Sequence, residues 1–290
     1  MGVTSFLLLC MLFVMPGAKS ALAGGRKEEM DLRALKGDRQ IIWYHNIHYS
    51  SPQTLERLLD TKFATHIMLA CGHRMDLDYQ SQTIRATAGL IRKHGIPFIW
   101  TRPLWPVDNP GPYGQEILYQ PEYYLGEISA LRREAAEIGA AHIGLDIEPY
   151  GNAPTKRLFK SNGRADIKCL PLQPVISQVW SAGGKVDYIL PAGNFGKCSP
   201  YVHIARLGDH KISEDTYYFY REEKYLKIDY PYDIMGIYFK EDMLRGPEAA
   251  DRLKTIIGSA LLLTPARGLF LYPEEKYAQH VVDLLSRVLR

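Results

Sequence analysis

Short apolar strands alternate with amphipathic helices through most of this sequence, and the alternation is its strongest constraint on the fold. Predicted helices end at Gly95, Gly139 and Gly183, which stand 44 residues apart, and glycine is common just past a helix C-terminus. Eight segments have the composition of buried strands: Ile41–His45, His66–Cys71, Ile96–Thr101, His142–Glu148, Val186–Pro191, Thr216–Tyr220, Ile234–Phe239 and Gly268–Tyr272. Strands that alternate regularly with helices favour a parallel sheet.

The number of strands favours one of two parallel architectures. Eight strands with a closing helix over Glu274–Leu289 match an α/β, (β/α)8 TIM barrel, and the short polar segments after strands five and six predict irregularity there. The alternative is a doubly wound open sheet, but that fold usually has a glycine-rich phosphate loop after its first strand. Here the first strand is followed by Asn46-Ile47-His48. We therefore expect one catalytic barrel domain over residues 39–290.

The first 23 residues have the features of a secretory signal peptide. Phe6–Val14 is an apolar run, and small residues follow it up to Gly24 with an Ala-x-Ala site at Ala21-Leu22-Ala23. A membrane anchor would need about 20 apolar residues, so we expect cleavage, a secreted or periplasmic location and no membrane attachment afterwards. Residues 24–38 are polar and predict a flexible lead-in to the domain.

Net charge and cysteine content argue against two classes of protein. Lys19 is the only charged residue among the first 23, so its removal lowers the formal net charge from +3 to +2. That charge is too small for a protein that binds nucleic acid by neutralising phosphates. Cys71, Cys169 and Cys198 remain, and so small and odd a number does not make a disulfide scaffold. We expect a monomer, with Cys169–Cys198 as the disulfide to test.

Two carboxylates, Asp146 and Glu148, end the fourth predicted strand. Residues two apart on a strand share a face, so both should point one way while the apolar residues between them point the other. Glycosidases use one carboxylic acid to protonate the leaving oxygen and a second carboxylate as nucleophile or base, and a neighbouring carboxylate raises the pKa of such an acid. The alternative is a structural pair held by Arg102 or Lys185.

Aromatic and polar side chains gather at the predicted C-terminal ends of the strands, where barrels build their active sites. Pyranose rings stack on Trp and Tyr and hydrogen-bond to polar side chains, and this chain has 19 Tyr and 4 Trp. The predicted sugar-binding residues are Trp43, His45, Trp100, Arg102, Trp105, Tyr150, Asn194, Tyr220 and Tyr272. The N-terminal strand ends hold no comparable set. We expect an aromatic-lined cleft for a polysaccharide or oligosaccharide at the C-terminal end.

The run Leu145-Asp146-Ile147-Glu148, together with Ile234–Tyr238, resembles the TIM-barrel glycoside hydrolases, most nearly the chitinase-like families. The resemblance implies a glycosidase in which Glu148 donates the proton and Asp146 orients the N-acetyl group of the substrate. It also implies that Tyr238 assists.

The chain departs from that pattern upstream, where the longer motif has further Asp residues and this sequence has Ala141 and Gly144. In the other barrel glycosidase pattern, Glu148 would work with Glu241 or Asp242 after the seventh strand. The second catalytic group therefore stays open among Asp146, Glu241 and Asp242.

Two further functions are compatible with the sequence. A metal-dependent hydrolase would use His45, His48 and His73 near the first two strand ends, although the predicted strands five to eight offer no histidine. A secreted carbohydrate-binding barrel would keep the aromatic cleft without turnover. The sequence has no phosphate loop and no dinucleotide fingerprint, so no cofactor is expected.

Overall fold

Eight parallel strands close into a barrel in the computed structural model of the chain, which confirms the predicted (β/α)8 TIM-barrel fold. The structure describes residues 30–70, 81–104, 120–147, 172–191, 205–213, 232–263 and 266–290. The strands are β1 (Gln40–Asn46), β2 (His66–Ala70), β3 (Phe98–Leu104), β4 (His142–Ile147), β5 (Val186–Pro191), β6 (Gly208–Ser213), β7 (Ile234–Phe239) and β8 (Gly268–Pro273). Each pairs in parallel with the next, and β8 pairs with β1.

Helices connect the strands in the described residues, and three of them end within two residues of Gly95, Gly139 and Gly183, as predicted. The helices are α1 (Leu32–Lys36), α2 (Pro52–Asp60), α3 (Gln82–Lys93), α4 (Pro121–Ile138), α5 (Leu172–Ser181), α6 (Ala249–Leu263) and α7 (Ala278–Val288). The Ser51 and Ser81 hydroxyls cap α2 and α3 by accepting hydrogen bonds from backbone N–H groups at 3.1 and 3.3 Å. Gly139 ends α4 with φ +73°, which favours glycine. Within the described ranges, no helix combines the length and hydropathy needed to cross a bilayer.

Alternate residues of each strand point into the barrel and fill it in layers. Counted from the N-terminal strand ends, the register gives His66, His142, His210 and Gly268 in layer one, Ile42, Ile99, Tyr188 and Ile234 in layer two, and Met68, Gly144, Ile212 and Phe270 in layer three. Layer four holds Tyr44, Thr101, Leu190 and Gly236, layer five Ala70, Asp146 and Tyr272, and layer six Asn46 and Tyr238. Apolar side chains of layers two and three therefore separate two polar ends.

The opposite face of most strands is also apolar and buried. Ile41, Leu69 and Leu145 are fully buried on that face, as is Phe98 at the start of β3. Parallel strands covered by helices are apolar on both faces for this reason.

The predicted position of the sixth strand was wrong. Gly208–Ser213 occupies that place in the barrel, while Thr216–Tyr220 lies outside the described residues. The observed strand has the polar sequence Gly-Asp-His-Lys-Ile-Ser, so it lacks the apolar run by which strands were recognised. Gly208 is required there because an added Cβ would collide with the Ile189 side chain.

Part of the predicted flexible lead-in is folded. Leu32–Arg290 form one compact unit, and Leu32 at the start of α1 is buried. Arg33 Nη2 donates to Thr61 O at 2.9 Å, and Lys36 Nζ donates to Phe63 O at 3.0 Å. These bonds attach α1 to the segment between α2 and β2, and the domain begins earlier than residue 39.

Candidate active site

Asp146 points into the barrel near the C-terminal end of β4. It belongs to layer five, opposite Leu190 of β5 in the register, and it is half-buried. Leu145 beside it is fully buried on the other face. The predicted inward direction of Asp146 thus agrees with the register, whereas Glu148, two residues further on, lies outside the described residues.

Thr101 places a second polar group just below Asp146, and it was not predicted. The side chain is buried in layer four, and its Oγ1 has no hydrogen-bond partner among the residues that the structure describes. A Cβ added to Gly144 would lie 2.7 Å from this oxygen, so glycine in layer three makes room for the hydroxyl. A buried hydroxyl of this kind marks a place where water or a ligand atom can bind.

Three tyrosines contact each other at the same end of the barrel. The ring of Tyr272 lies 4.4 Å from that of Tyr44 and 5.0 Å from that of Tyr238, measured between centroids. Lys240 Nζ lies 5.8 Å from the Tyr238 centroid. Tyr238 and Tyr272 were predicted site residues. Tyr44 was not predicted, because its neighbours Trp43 and His45 were chosen instead. The structure therefore brings Asp146, Tyr238 and Tyr272 to one end of the barrel interior.

Four predicted sugar-binding residues lie instead on the outer face of the barrel. Trp43 and His45 stand on either side of inward-facing Tyr44 along β1, so their side chains point away from the barrel interior. Both are buried. Trp100 and Arg102 alternate with Thr101 on β3 in the same way. The prediction that these four side chains line the cleft was wrong, because side chains alternate between the two faces of a strand and these four point outward.

Trp100 and Arg102 have partners on helix α4. Trp100 Nε1 donates to Glu134 Oε2 at 2.9 Å, while Arg102 Nη1 donates to Glu127 Oε2 at 3.1 Å and Nη2 donates to Glu134. Burial lowers the pKa of Arg102, but the charges and hydrogen bonds of Glu134 and Glu127 outweigh it, and the net pKa is raised. Arg102 thus joins β3 to α4. Lys185, the other base considered as a partner of Asp146, instead places its Nζ over the Trp180 ring, 3.6 Å from the ring centroid.

Glu241 and Asp242 follow β7 in a 3-10 turn over Glu241–Leu244. Arg245 Nε donates to Glu241 Oε1 at 3.0 Å. A hydrogen bond from Tyr277 and the contact with Arg245 lower the pKa of Glu241. Glu241 is therefore a half-buried, ionised carboxylate, suited to a base and not to a proton donor.

Several predicted residues lie outside the described part of the chain. These are Glu148, Trp105, Tyr150, Asn194 and Tyr220 of the proposed site, His73 of the metal alternative, and Cys71, Cys169 and Cys198. Of the other metal candidates, His45 is buried on the outer face of β1 and His48 is exposed after it. The described residues contain no group of three or more His, Cys, Asp or Glu that could hold a metal ion.

A polar cluster at the N-terminal strand ends was missed by the sequence reasoning. His66 and His142 begin β2 and β4, and their ring centroids lie 5.9 Å apart. The ring of Tyr188 lies 5.0 Å from that of His210 on β6, a histidine that the misplaced sixth strand concealed. Burial, with the charges of His142 and His210, lowers the pKa of His66 to about 4. The sequence signal for this cluster was the histidine at the first position of both β2 and β4.

Comparison with known proteins supports the fold. No protein-family model matches the chain, and no curated protein matches its sequence. Among solved structures, a chitinase from Bacteroides thetaiotaomicron has 12% identity and a TM-score of 0.51, covering 87% of this chain and 96% of its own. A mutant GH18 chitinase from Cycas revoluta in complex with (GlcNAc)4 has 10% identity and a TM-score of 0.50, covering 86% of this chain and 98% of its own. At such identities the likeness shows the barrel fold alone.

Proposed function

We propose that this protein is a glycoside hydrolase that cleaves a glycosidic bond by carboxylate acid–base catalysis at the C-terminal end of the barrel. The observation that carries the proposal is the inward-facing Asp146 in layer five, at the end where barrels keep their active sites. A carboxylate directed into a barrel interior is costly unless it is used.

In this proposal Glu148 is the proton donor. It follows Asp146 by two residues, and an adjacent negative charge keeps a carboxylic acid protonated to higher pH. The protonated acid donates to the leaving oxygen as the bond to the sugar breaks. Of the three candidates for the second group, Asp146 faces the barrel interior, as does the assisting Tyr238, whereas Glu241 contacts Arg245 in the turn after β7. The geometry therefore favours Asp146 with Tyr238.

The tyrosines supply the sugar-binding surface of the proposed site. Tyr44, Tyr272 and Tyr238 form a continuous series of ring contacts in layers four to six, at the same end of the barrel as Asp146. Tyrosine rings stack on the apolar faces of pyranoses, and their hydroxyls hydrogen-bond to sugar hydroxyls. Oligomers of N-acetylglucosamine are the first substrates to test, because the Cycas revoluta chitinase was solved with one.

The proposal includes export, with residues 1–23 acting as the signal peptide. N-terminal sequencing of the protein recovered from a bacterial secretion host tests this part. A mature chain that still begins at Met1 would refute it.

The central experiment compares hydrolysis by the wild type with that of Glu148→Gln on polysaccharides, GlcNAc oligomers and aryl glycosides. We expect Glu148→Gln to abolish turnover while sugar binding and the far-ultraviolet circular dichroism stay unchanged. Glu248→Gln is the matched control, because Glu248 is exposed after the 3-10 turn and contacts Arg252 at 3.7 Å. Full activity of Glu148→Gln would remove it from the mechanism, and saturable sugar binding by a wild type without turnover would identify a carbohydrate-binding barrel instead.

A further inference from the structure

A cavity of about 510 Å³ opens at the N-terminal end of the barrel, at the opposite end from Asp146. Its volume is within the range of small-molecule sites. It is lined by the end of α1, the start of β1, the residue before β8 and layer one of the barrel, through Lys36, Asp38, Arg39, Gln40, Arg267 and His210. None of these residues belongs to the proposed active site.

Three cations and one carboxylate, Asp38, line the cavity. Backbone carbonyls hold two of the cations in place, since Lys36 Nζ donates to Phe63 O at 3.0 Å and Arg39 Nη1 donates to Leu35 O at 2.8 Å. Each of these two side chains keeps further N–H donors for a ligand. Arg267 is exposed at the opening. The excess of positive charge favours an anion.

The inner wall of the cavity is polar. The side chain of Gln40 hydrogen-bonds to Tyr188, whose buried ring lies 5.0 Å from that of His210. Gly268 is the fourth member of layer one, and an added Cβ there would lie 2.5 Å from Gln40 O. Gly268 therefore packs closely against Gln40, and Gln40 and His210 supply amide and imidazole groups to the cavity wall.

We propose that this cavity binds a phosphate group, either as free phosphate or as the phosphate of a small monoester. A phosphate carries close to two negative charges at neutral pH, which matches the excess of cations over Asp38. Guanidinium groups bind phosphate oxygens through paired hydrogen bonds, and Arg39 and Arg267 provide two of them. Sugar hydrolysis at the other end does not depend on this site.

The test is isothermal titration calorimetry of the full chain at neutral pH and low salt, with inorganic phosphate and separately with a hexose monophosphate. We expect saturable binding of at least one ligand by the wild type, weakened about tenfold by Arg267→Gln through loss of a charged hydrogen bond. Arg287→Gln is the matched control, because it removes the same charge from an exposed site on α7. It should bind like the wild type.

Tighter binding of the monoester would support the proposal and identify a phosphorylated small molecule, and equal binding would support it with free phosphate as the ligand. Absence of saturable binding by the wild type in millimolar phosphate would overturn it. Equal weakening in Arg267→Gln and Arg287→Gln would also overturn it, because the effect would then be one of net charge. Arg39→Gln, which should weaken binding as well, keeps the test decisive if Arg267→Gln folds poorly.

Discussion

Replacing Arg102 by Met tests whether this residue joins the barrel to helix α4 or binds sugar. Arg102 bridges Glu127 and Glu134, and Trp100 Nε1 also donates to Glu134. The Glu134 side chain is only 3% exposed, whereas that of Glu127 is 23% exposed. The substitution would leave the Glu134 carboxylate buried with the indole N–H as its remaining partner among the bonds described above.

The expected cost follows from this burial. Removing one partner of a buried ion pair costs about 3–5 kcal/mol, and the lower end applies because the Arg102 side chain is itself 27% exposed. A loss of about 3 kcal/mol corresponds to a fall in Tm of roughly 6–12 °C for a domain of this size. The double variant Arg102→Met/Glu134→Leu should recover most of the loss, because replacing both charges by apolar groups is often neutral.

Urea unfolding followed by circular dichroism measures the free energy of unfolding of each variant. Glu127→Gln is the control, and it should cost less than about 1 kcal/mol because the contact that it removes is partly exposed. Sugar binding by Arg102→Met should equal that of the wild type at a temperature where both are folded. Unchanged stability with lost sugar binding would refute the structural role and return Arg102 to the cleft.

Three further substitutions test the proposed site and the outer face of β1. Asp146→Asn should lower activity and move the alkaline limb of the pH profile to lower pH, because its charge no longer holds the proton of the acid Glu148; an unmoved limb would show that the two groups are not coupled. Tyr238→Phe should lower kcat more than it raises KM if the hydroxyl assists the reaction, and equal kcat would exclude that role. Burial lowers the pKa of His45 from 6.5 to about 4, so the folded state loses about 3 kcal/mol of stability as pH falls from 6.5 towards 4. His45→Gln should flatten this loss in urea unfolding at several pH values, whereas exposed His48→Gln should leave it unchanged.

The fold could be predicted because its signals are local. Glycine at the ends of helices and apolar runs in the strands mark most elements, and the glycine at 139 does have the positive φ that this interpretation requires. The sixth strand was not predicted because Gly208–Ser213 is polar. Its place is fixed by pairing with β5 and β7, which depends on the closed barrel and not on the segment's own composition.

The face of each strand was harder to predict than the strand itself. β1 and β3 are buried on both sides, so Trp43 and Tyr44, or Trp100 and Thr101, are equally compatible with the interior when only the sequence is available. β4 was assigned correctly because Asp146 interrupts an otherwise apolar run. The histidines of layer one are far apart in the sequence and come together only through the register, so histidines at the first positions of β2 and β4 indicate the cluster only once that register is known.

The apolar middle of the barrel has an evolutionary consequence. Along β4, His142 and Asp146 are four residues apart, or about 13 Å of strand, and the apolar side chains of layers two and three fill the space between the two ends. Water and solutes cannot pass through such a core, so neither end has to be compatible with the ligands of the other. Selection can therefore rebuild one end of this barrel, or abandon its activity, while the other end continues to evolve separately.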